Sequence, residues 1–523
     1  MGQDEQLSGR LTRRQMLKLA AATGATLPLL EGGLLEQAIA AAVAEKRGGT
    51  LNIGINTDIV SLDPNDIVFA NVPMFYQVYN YLVKFTTTLQ ARPDLAESWD
   101  VASDGLSVVF RLRQGVRTHS GGAFDADALL ANFRRTKDRT TGGGLFSRLA
   151  DWTSAEKLDS HGVRFRFARP RADYLAQVGR WGMVDPAAFA SVKQRGGGTG
   201  PYRVEEWVPG DHLTMVKFAD YWQQGVPLLD RIIFRIYSDP QAMENAFRVG
   251  QIDIAHTLPN KDVGRLRAAG FNVVPAPVPN EYYILTINAK KPPFDNIKVR
   301  QAFQHVVDRA TISRTILGGV GKPLVQPVAP NAPGYDPKLD AELAFDLAKA
   351  KQMLAAAGFP NGFKTSILCS TSTPETPQVA QVIQADLKKL GIDASLNTME
   401  PSAYFPVYFA GNFELNVIFL TLATIDPTEF TISSAYRTND TNPSWIGSGP
   451  PKEYVDFINK INASFNRQER WNAMKTAVRY ILEQSWVVPV AMRLPTYGLA
   501  KTVRGFSVDP QMIISLRTTW LDK

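Results

Sequence analysis

The stretch 281-EYYILTINAKKPPFDNIKVRQAFQHVVDRATISRTILGG-319 decides the fold. Residues Tyr282 to Ala289 alternate poorly, but they are rich in β-branched and aromatic side chains, which suits a buried strand. Pro292 and Pro293 end any ladder, because neither has a backbone N–H to donate. Asp295 stands where a helix N-cap is wanted, and Val299, Ala302, Phe303 and Val306 follow at helical spacing. That spacing turns Lys298, Arg300 and Gln301 toward water. A second short helix, about 310–317, stops at Gly318-Gly319. The segment reads as strand, turn, helix, helix.

Outward from it, strand and helix alternate through most of the chain, the pattern of α/β lobes. At 523 residues the chain is too long for one ordinary core, and its 45% hydrophobic and 20% charged composition is that of a globular protein. The net charge of +7 comes from scattered Lys and Arg with acidic neighbours, so no basic block marks a nucleic-acid footprint. Cys369 is the single cysteine, which excludes an intramolecular disulfide. There is no internal repeat and no low-complexity segment.

The N-terminus reads as an export signal, residues 1–44. Thr12-Arg13-Arg14-Gln15-Met16-Leu17-Lys18 matches the twin-arginine pattern, and an apolar run from Leu19 to Leu30 follows. That run is too short, and too rich in Ala, Thr and Gly, to span a bilayer. Ala42-Val43-Ala44 offers a cleavage site, and no Cys beside it indicates a lipid anchor. The expectation is a soluble periplasmic protein that meets the Tat translocase during export.

Several blocks share one resemblance. They are Pro93-Asp94-Leu95-Ala96-Glu97-Ser98-Trp99 with Ser103-Asp104-Gly105, the GTGPY run 198–202 closing at Asp220-Tyr221-Trp222, the GQIDIA run 250–255, the PPFDNIKVRQAFQHVVDRATI run 292–312, and Val503-Arg504-Gly505-Phe506. Together they resemble the large solute-binding proteins of the dipeptide/oligopeptide transport family, from Gly49 to Pro510. The resemblance implies a two-lobed α/β periplasmic-binding-protein fold with lobes joined by a two-strand hinge. Lobe I is expected over 45–279 with an inserted subdomain at about 75–194, lobe II over 280–492, and a return to lobe I over 493–523. It further implies a monomer that takes a small-molecule solute and delivers it to an inner-membrane ABC permease with its ATPase subunits.

The same resemblance makes the site readable by what is missing. Dipeptide binders in the family hold the ligand amine with an aspartate three residues before an Asp-Pro pair. Here that pair is Asp426-Pro427, and Ala423 stands at the matching position. The carboxylate partner, an arginine, is replaced by Ser370, and Ser372 stands where an aromatic is common. Two cleft tryptophans are replaced by Leu420 and Pro401. A buried ionised terminus without a partner costs several kcal/mol, so these losses argue against a free dipeptide. The candidate ligand-binding residues are Ser61, Asn71, Ser370, Thr371, Leu420, Thr421, Ala423, Thr424, Asp426, Trp445, Arg493 and Tyr497. Asp426 has the alternative of capping a helix that begins at Pro427, and Arg493 that of a hinge ion pair.

The competing readings are an exported hydrolase and a non-transport binding or sensor protein on the same fold. The chain has no Gly-x-Ser-x-Gly elbow and no His-Glu-x-x-His, and its histidines (119, 161, 212, 256, 305) fall singly. His119 has no Cys, Asp or His at ligand spacing and is expected to be structural. The glycine-rich run 196–200 lacks the Gly-Lys-Ser/Thr ending of a phosphate cradle. Neither cofactor, metal nor enzyme activity is expected.

Overall fold

The computed structural model describes residues 47–66, 72–86, 90–277, 281–330, 332, 334–421, 434–508 and 514–522. The export-signal reading of residues 1–44 therefore lies outside the described residues.

The segment 281–319 builds the centre of the second lobe. Strand Glu281–Ile287 is buried along its whole length, between Leu415–Thr421 on one side and Val487–Arg493 on the other, both antiparallel. Its alternation was weak in sequence because both faces of the sheet are covered. Tyr282 and Ile284 pack on Tyr436, Ile481 and Trp486, while Tyr283, Leu285 and Ile287 pack on Val299, Phe303 and Ile383. The six-stranded sheet runs Lys322–Pro323, Val487–Arg493, Glu281–Ile287, Leu415–Thr421, Lys364–Ser370, Asp393–Met399.

Two local readings are corrected. The helix Ile297–Phe303 is capped by Asn296, whose side chain accepts from the Lys298 N–H at 3.0 Å, one residue later than Asp295. Arg300, expected in water, is buried at 3% exposure. Its guanidinium donates to the carbonyls of Gln484 (2.8 Å) and Phe294 (2.7 Å), so it closes the C-terminal end of helix Arg467–Gln484. Burial lowers its pKa to about 10, against the opposing charge of Asp295.

The first lobe holds a seven-stranded sheet, in the order Asn272–Pro275, Thr496–Leu499, Ile254–Ala255, Thr50–Ile55, Arg231–Ile236, His212–Lys217, Tyr202–Val208. Thr50–Ile55 is parallel to both Arg231–Ile236 and Ile254–Ala255. A four-stranded antiparallel sheet, Ala96–Val101, Ser107–Leu112, Gly162–Phe167 and Trp152–Lys157, carries its own core around Phe110, Trp152, Phe165 and Trp181. The helix Ala126–Lys137 packs on this sheet, capped by Asp125, and its Arg135 pairs with the fully buried Asp63 of the first lobe.

The chain crosses between the two large sheets twice, from Pro275 to Glu281 and from Arg493 to Thr496. The crossings run side by side, since Ala276 N–H donates to Pro495 O at 2.7 Å and the flanking strands are paired. This is the expected two-lobed α/β fold with a two-strand hinge. Arg493, placed in the returning segment by the sequence, still pairs with Glu281 in the second sheet.

His119 closes the glycine-rich run instead of binding an ion. The Gly198 N–H donates to Nδ1 at 3.2 Å, which puts the proton on Nε2 and lets it donate to Gly200 O at 3.0 Å. Burial holds this imidazole at a pKa of about 4, and burial alone does the same for His256. A histidine depressed in the folded state stabilises fully above its unfolded pKa, near 6.5, and that stability drains as pH falls toward 4. Each should add a slope of up to about 1.4 kcal/mol per pH unit in that window. Urea midpoints at pH 7.5, 6.0 and 5.0 should fall progressively, and less steeply in His119→Asn. Midpoints that are flat across the window would contradict the neutral, buried assignment.

Candidate functional site

A cavity of about 480 Å³ lies between the two lobes. Its first-lobe wall is made by residues that follow three parallel strands. Asn56 and Thr57 follow Thr50–Ile55; Asp239 and Gln241 follow Arg231–Ile236; His256 and Thr257 follow Ile254–Ala255. The second-lobe wall repeats the arrangement. Ser372, Thr373 and Glu375 follow Lys364–Ser370, Phe419 lies near the C-terminal end of Leu415–Thr421, and Arg493 ends Val487–Arg493. Lys364–Ser370 and Leu415–Thr421 are parallel to each other. Backbone groups freed at the carboxyl ends of parallel strands, and the loops that leave them, make this the usual place for a ligand in an α/β lobe.

At the hinge the cavity meets a buried ion pair. Glu281 and Arg493 stand opposite each other on neighbouring strands, 3.6 Å apart between Oε2 and Nε, with each side chain about 10% exposed. Those two atoms are buried and neither has a hydrogen-bond partner among the described residues. The Arg493 guanidinium lies 5.7 Å over the ring of Phe419. Burial opposes its charge, but Glu281, Tyr283 and Glu375 around it hold its pKa above the ordinary arginine value. Glu281 is the strained partner: burial pushes its carboxyl up, Arg493 pulls it down, and Glu375 pushes it up again. Glu375 itself accepts from the Tyr283 hydroxyl at 3.4 Å.

More orphaned polar atoms gather on the first-lobe side. His256 Nε2 and Asp262 Oδ2 are buried without partners among the described residues, and both residues line the cavity. The second oxygen of Asp262 accepts from Arg265 at 3.2 Å. His256 Nδ1 shares a 3.0 Å hydrogen bond with the Thr257 hydroxyl, and its ring meets Tyr497 edge-on. Charges on the wall are nearly balanced, with Asp239, Asp262, Glu281 and Glu375 facing Arg180, Lys261 and Arg493.

Of the candidate residues, Arg493 lines this cavity. Ser370 is buried one step behind the wall and accepts from the Ser372 N–H at 3.1 Å, holding the loop that carries Ser372 to Glu375. Thr371 is exposed, and its N–H donates to Met399 O. Tyr497 is fully buried in the first-lobe core behind His256. Ser61 holds the turn at Asp63 and bonds Asp66 at 2.6 Å. Leu420 points to the opposite face of its strand from Phe419 and borders a small void with Tyr282 and Tyr436. Trp445 packs on the second-lobe core, edge-on to Trp486. Thr421 ends a described strand, but its side chain lies outside the description, as do Asn71, Ala423, Thr424 and Asp426.

The sequence reading passed over Glu281, Glu375, His256 and Phe419. The signal that finds them is position: each lies near a strand end or in the segment that follows it, on the side where parallel strands deliver their carboxyl ends. The wall also carries charge, from Asp239, Asp262, Glu281, Glu375, Arg180, Lys261 and Arg493. The charges arrive on residues that no dipeptide-binder motif covers.

Comparison with known proteins places this architecture. The model of the bacterial extracellular solute-binding proteins, family 5, middle region, matches residues 90–442. The glutathione-binding protein GsiB of Escherichia coli O1:K1 / APEC is 26% identical over 477 residues, covering 88% of this chain and 92% of the relative. The structure of AgaA from A. tumefaciens R10 in complex with agropinic acid is 25% identical with a TM-score of 0.77, covering 91% of this chain and 99% of that one. The ABC transporter-associated periplasmic binding protein DppA from Helicobacter pylori, in complex with the peptide STSA, is 25% identical with a TM-score of 0.78, covering 92% and 100%.

Proposed function

The chain belongs to the bacterial extracellular solute-binding proteins of family 5, and from that premise we propose that the cavity at its hinge captures the solute. Proteins of this family are binding components of ABC importers, and solute binding is the role of this chain. Members of the family are binding proteins, not enzymes. The finer reading has three parts. The lobes, 45–279 with the return from about 493 and 280–492, close around the solute. The closed form then docks on an inner-membrane permease with its ATPases. The twin-arginine segment exports the chain as a soluble, unanchored periplasmic monomer.

The observation that carries this reading is the hinge pair. Glu281 and Arg493 sit on the two crossing strands and face a cavity walled by both lobes. Solute bound there touches the parts that must bend.

The relatives bind chemically different solutes, so identity does not transfer from them. Free dipeptides fit poorly, because Ala423 and Ser370 replace the charged partners that the family uses for the two peptide termini. Titration calorimetry with Ala-Ala and Gly-Leu is expected to show no binding at micromolar concentrations. A micromolar dissociation constant for either would sink that part of the proposal. Its failure would leave solute capture standing.

A further inference from the structure

Resting on capture at the hinge cavity, we propose that the solute presents an uncharged, polyhydroxylated face, that of a sugar, sugar alcohol or sugar acid, to Glu281, Arg493 and Asp262. The argument starts from what the cavity leaves unsatisfied. Glu281 and Arg493 are 8% and 9% exposed, and neither side chain makes a hydrogen bond among the described residues. At 3.6 Å they neutralise each other without bonding. Asp262 Oδ2 and His256 Nε2 add an acceptor and a ring nitrogen on the opposite wall. Buried polar groups left this way cost free energy until something bonds them.

The group that fills such a site must donate to carboxylates and accept from a guanidinium within a few ångströms. An ammonium brought to Glu281 would also meet the Arg493 charge, and a carboxylate brought to Arg493 would meet Glu281. A hydroxyl donates and accepts without either repulsion. Vicinal hydroxyls on a sugar span the short separation between the two partners. Phe419, whose ring lies beneath Arg493, lines the cavity and gives the wall an apolar edge for the C–H groups of a sugar. The near balance of charge on the wall likewise favours an uncharged contact face over a fully cationic or anionic solute.

The test is a thermal-shift panel on the full chain, each compound at about 10 mM, roughly a hundred times a dissociation constant of about 100 µM. The polyhydroxylated probes are D-mannitol, D-glucose, D-gluconate and sucrose; the others are Ala-Ala, putrescine and a nickel–EDTA chelate. At least one of the first group should raise Tm by roughly 3 °C or more. Glu281→Gln should weaken that compound by roughly 10- to 100-fold. Phe419→Leu, which leaves the ion pair in place, should weaken it too. A rise confined to Ala-Ala, putrescine or the chelate overturns this inference and leaves solute capture intact. A flat response to every compound likewise overturns this inference, while solute capture is tested separately by the co-purified adduct.

Discussion

Arg493→Met is expected to lower stability by about 3–5 kcal/mol at neutral pH, because it leaves Glu281 as an uncompensated carboxylate in the hinge. The pair is nine-tenths buried, so solvent screening cannot make up the loss. The double variant Arg493→Met/Glu281→Gln should recover a large part of it, since it removes the stranded charge along with its partner. The pH dependence follows from the carboxyl's direction of shift. Burial and Glu375 already push Glu281 up, and removing Arg493 removes the positive charge that holds it down. A carboxyl raised in the folded state binds more protons there than in the unfolded chain. Stability is then fullest below the unfolded value, near 4.3, and is lost as pH rises through the folded one. The single variant should therefore approach the wild type in acid and fall away above it. Chemical denaturation of the four proteins of this cycle at pH 5 and pH 8 measures both effects. Equal losses in the single and double variants would mean the pair contributes only packing.

Gly318→Ala should weaken solute binding by 10-fold or more, in the order-of-magnitude sense that roughly 1.4 kcal/mol against closure carries. Gly318 has φ +57 and approaches Asn260 O of the other lobe so closely that an added Cβ would lie 2.4 Å from it. The substitution thus carries a left-handed backbone penalty of about 1–2 kcal/mol and a clash across the lobe interface. Gly319→Ala separates the two, since Gly319 has φ +72 and open space around its Cβ position. Both variants should lose Tm, but only Gly318→Ala should lose affinity and show a larger radius of gyration with solute bound. Matching affinities in the two variants would remove Gly318 from the closing interface.

The fold was legible because its punctuation is local. The buried strand stopped by Pro292-Pro293 and the helix marked by Val299, Ala302 and Phe303 were readable in a few residues. Errors came where tertiary contacts override the local pattern. Arg300 has a solvent-facing position by periodicity, yet it is buried because the carbonyls ending Arg467–Gln484 need a donor. The site was less legible for the same reason. Glu281 and Arg493 are 212 positions apart by their numbering, and only the pairing of their strands makes them neighbours. His256 and Glu375 come from different lobes and carry no motif. Arg493 was found because the return crossing could be read from the resemblance. Ser370, a candidate by the resemblance, lies one step behind the cavity wall and accepts from the Ser372 N–H.

The central claim, that the hinge cavity is where this chain holds its solute, is tested most directly by native mass spectrometry of wild type and Arg493→Met/Glu281→Gln recovered from the envelope of the native host. The account predicts one small-molecule adduct on the wild type, released on denaturation, and none on the double variant despite an intact fold. The same adduct at full occupancy on both proteins would contradict it, because the solute would then be held elsewhere.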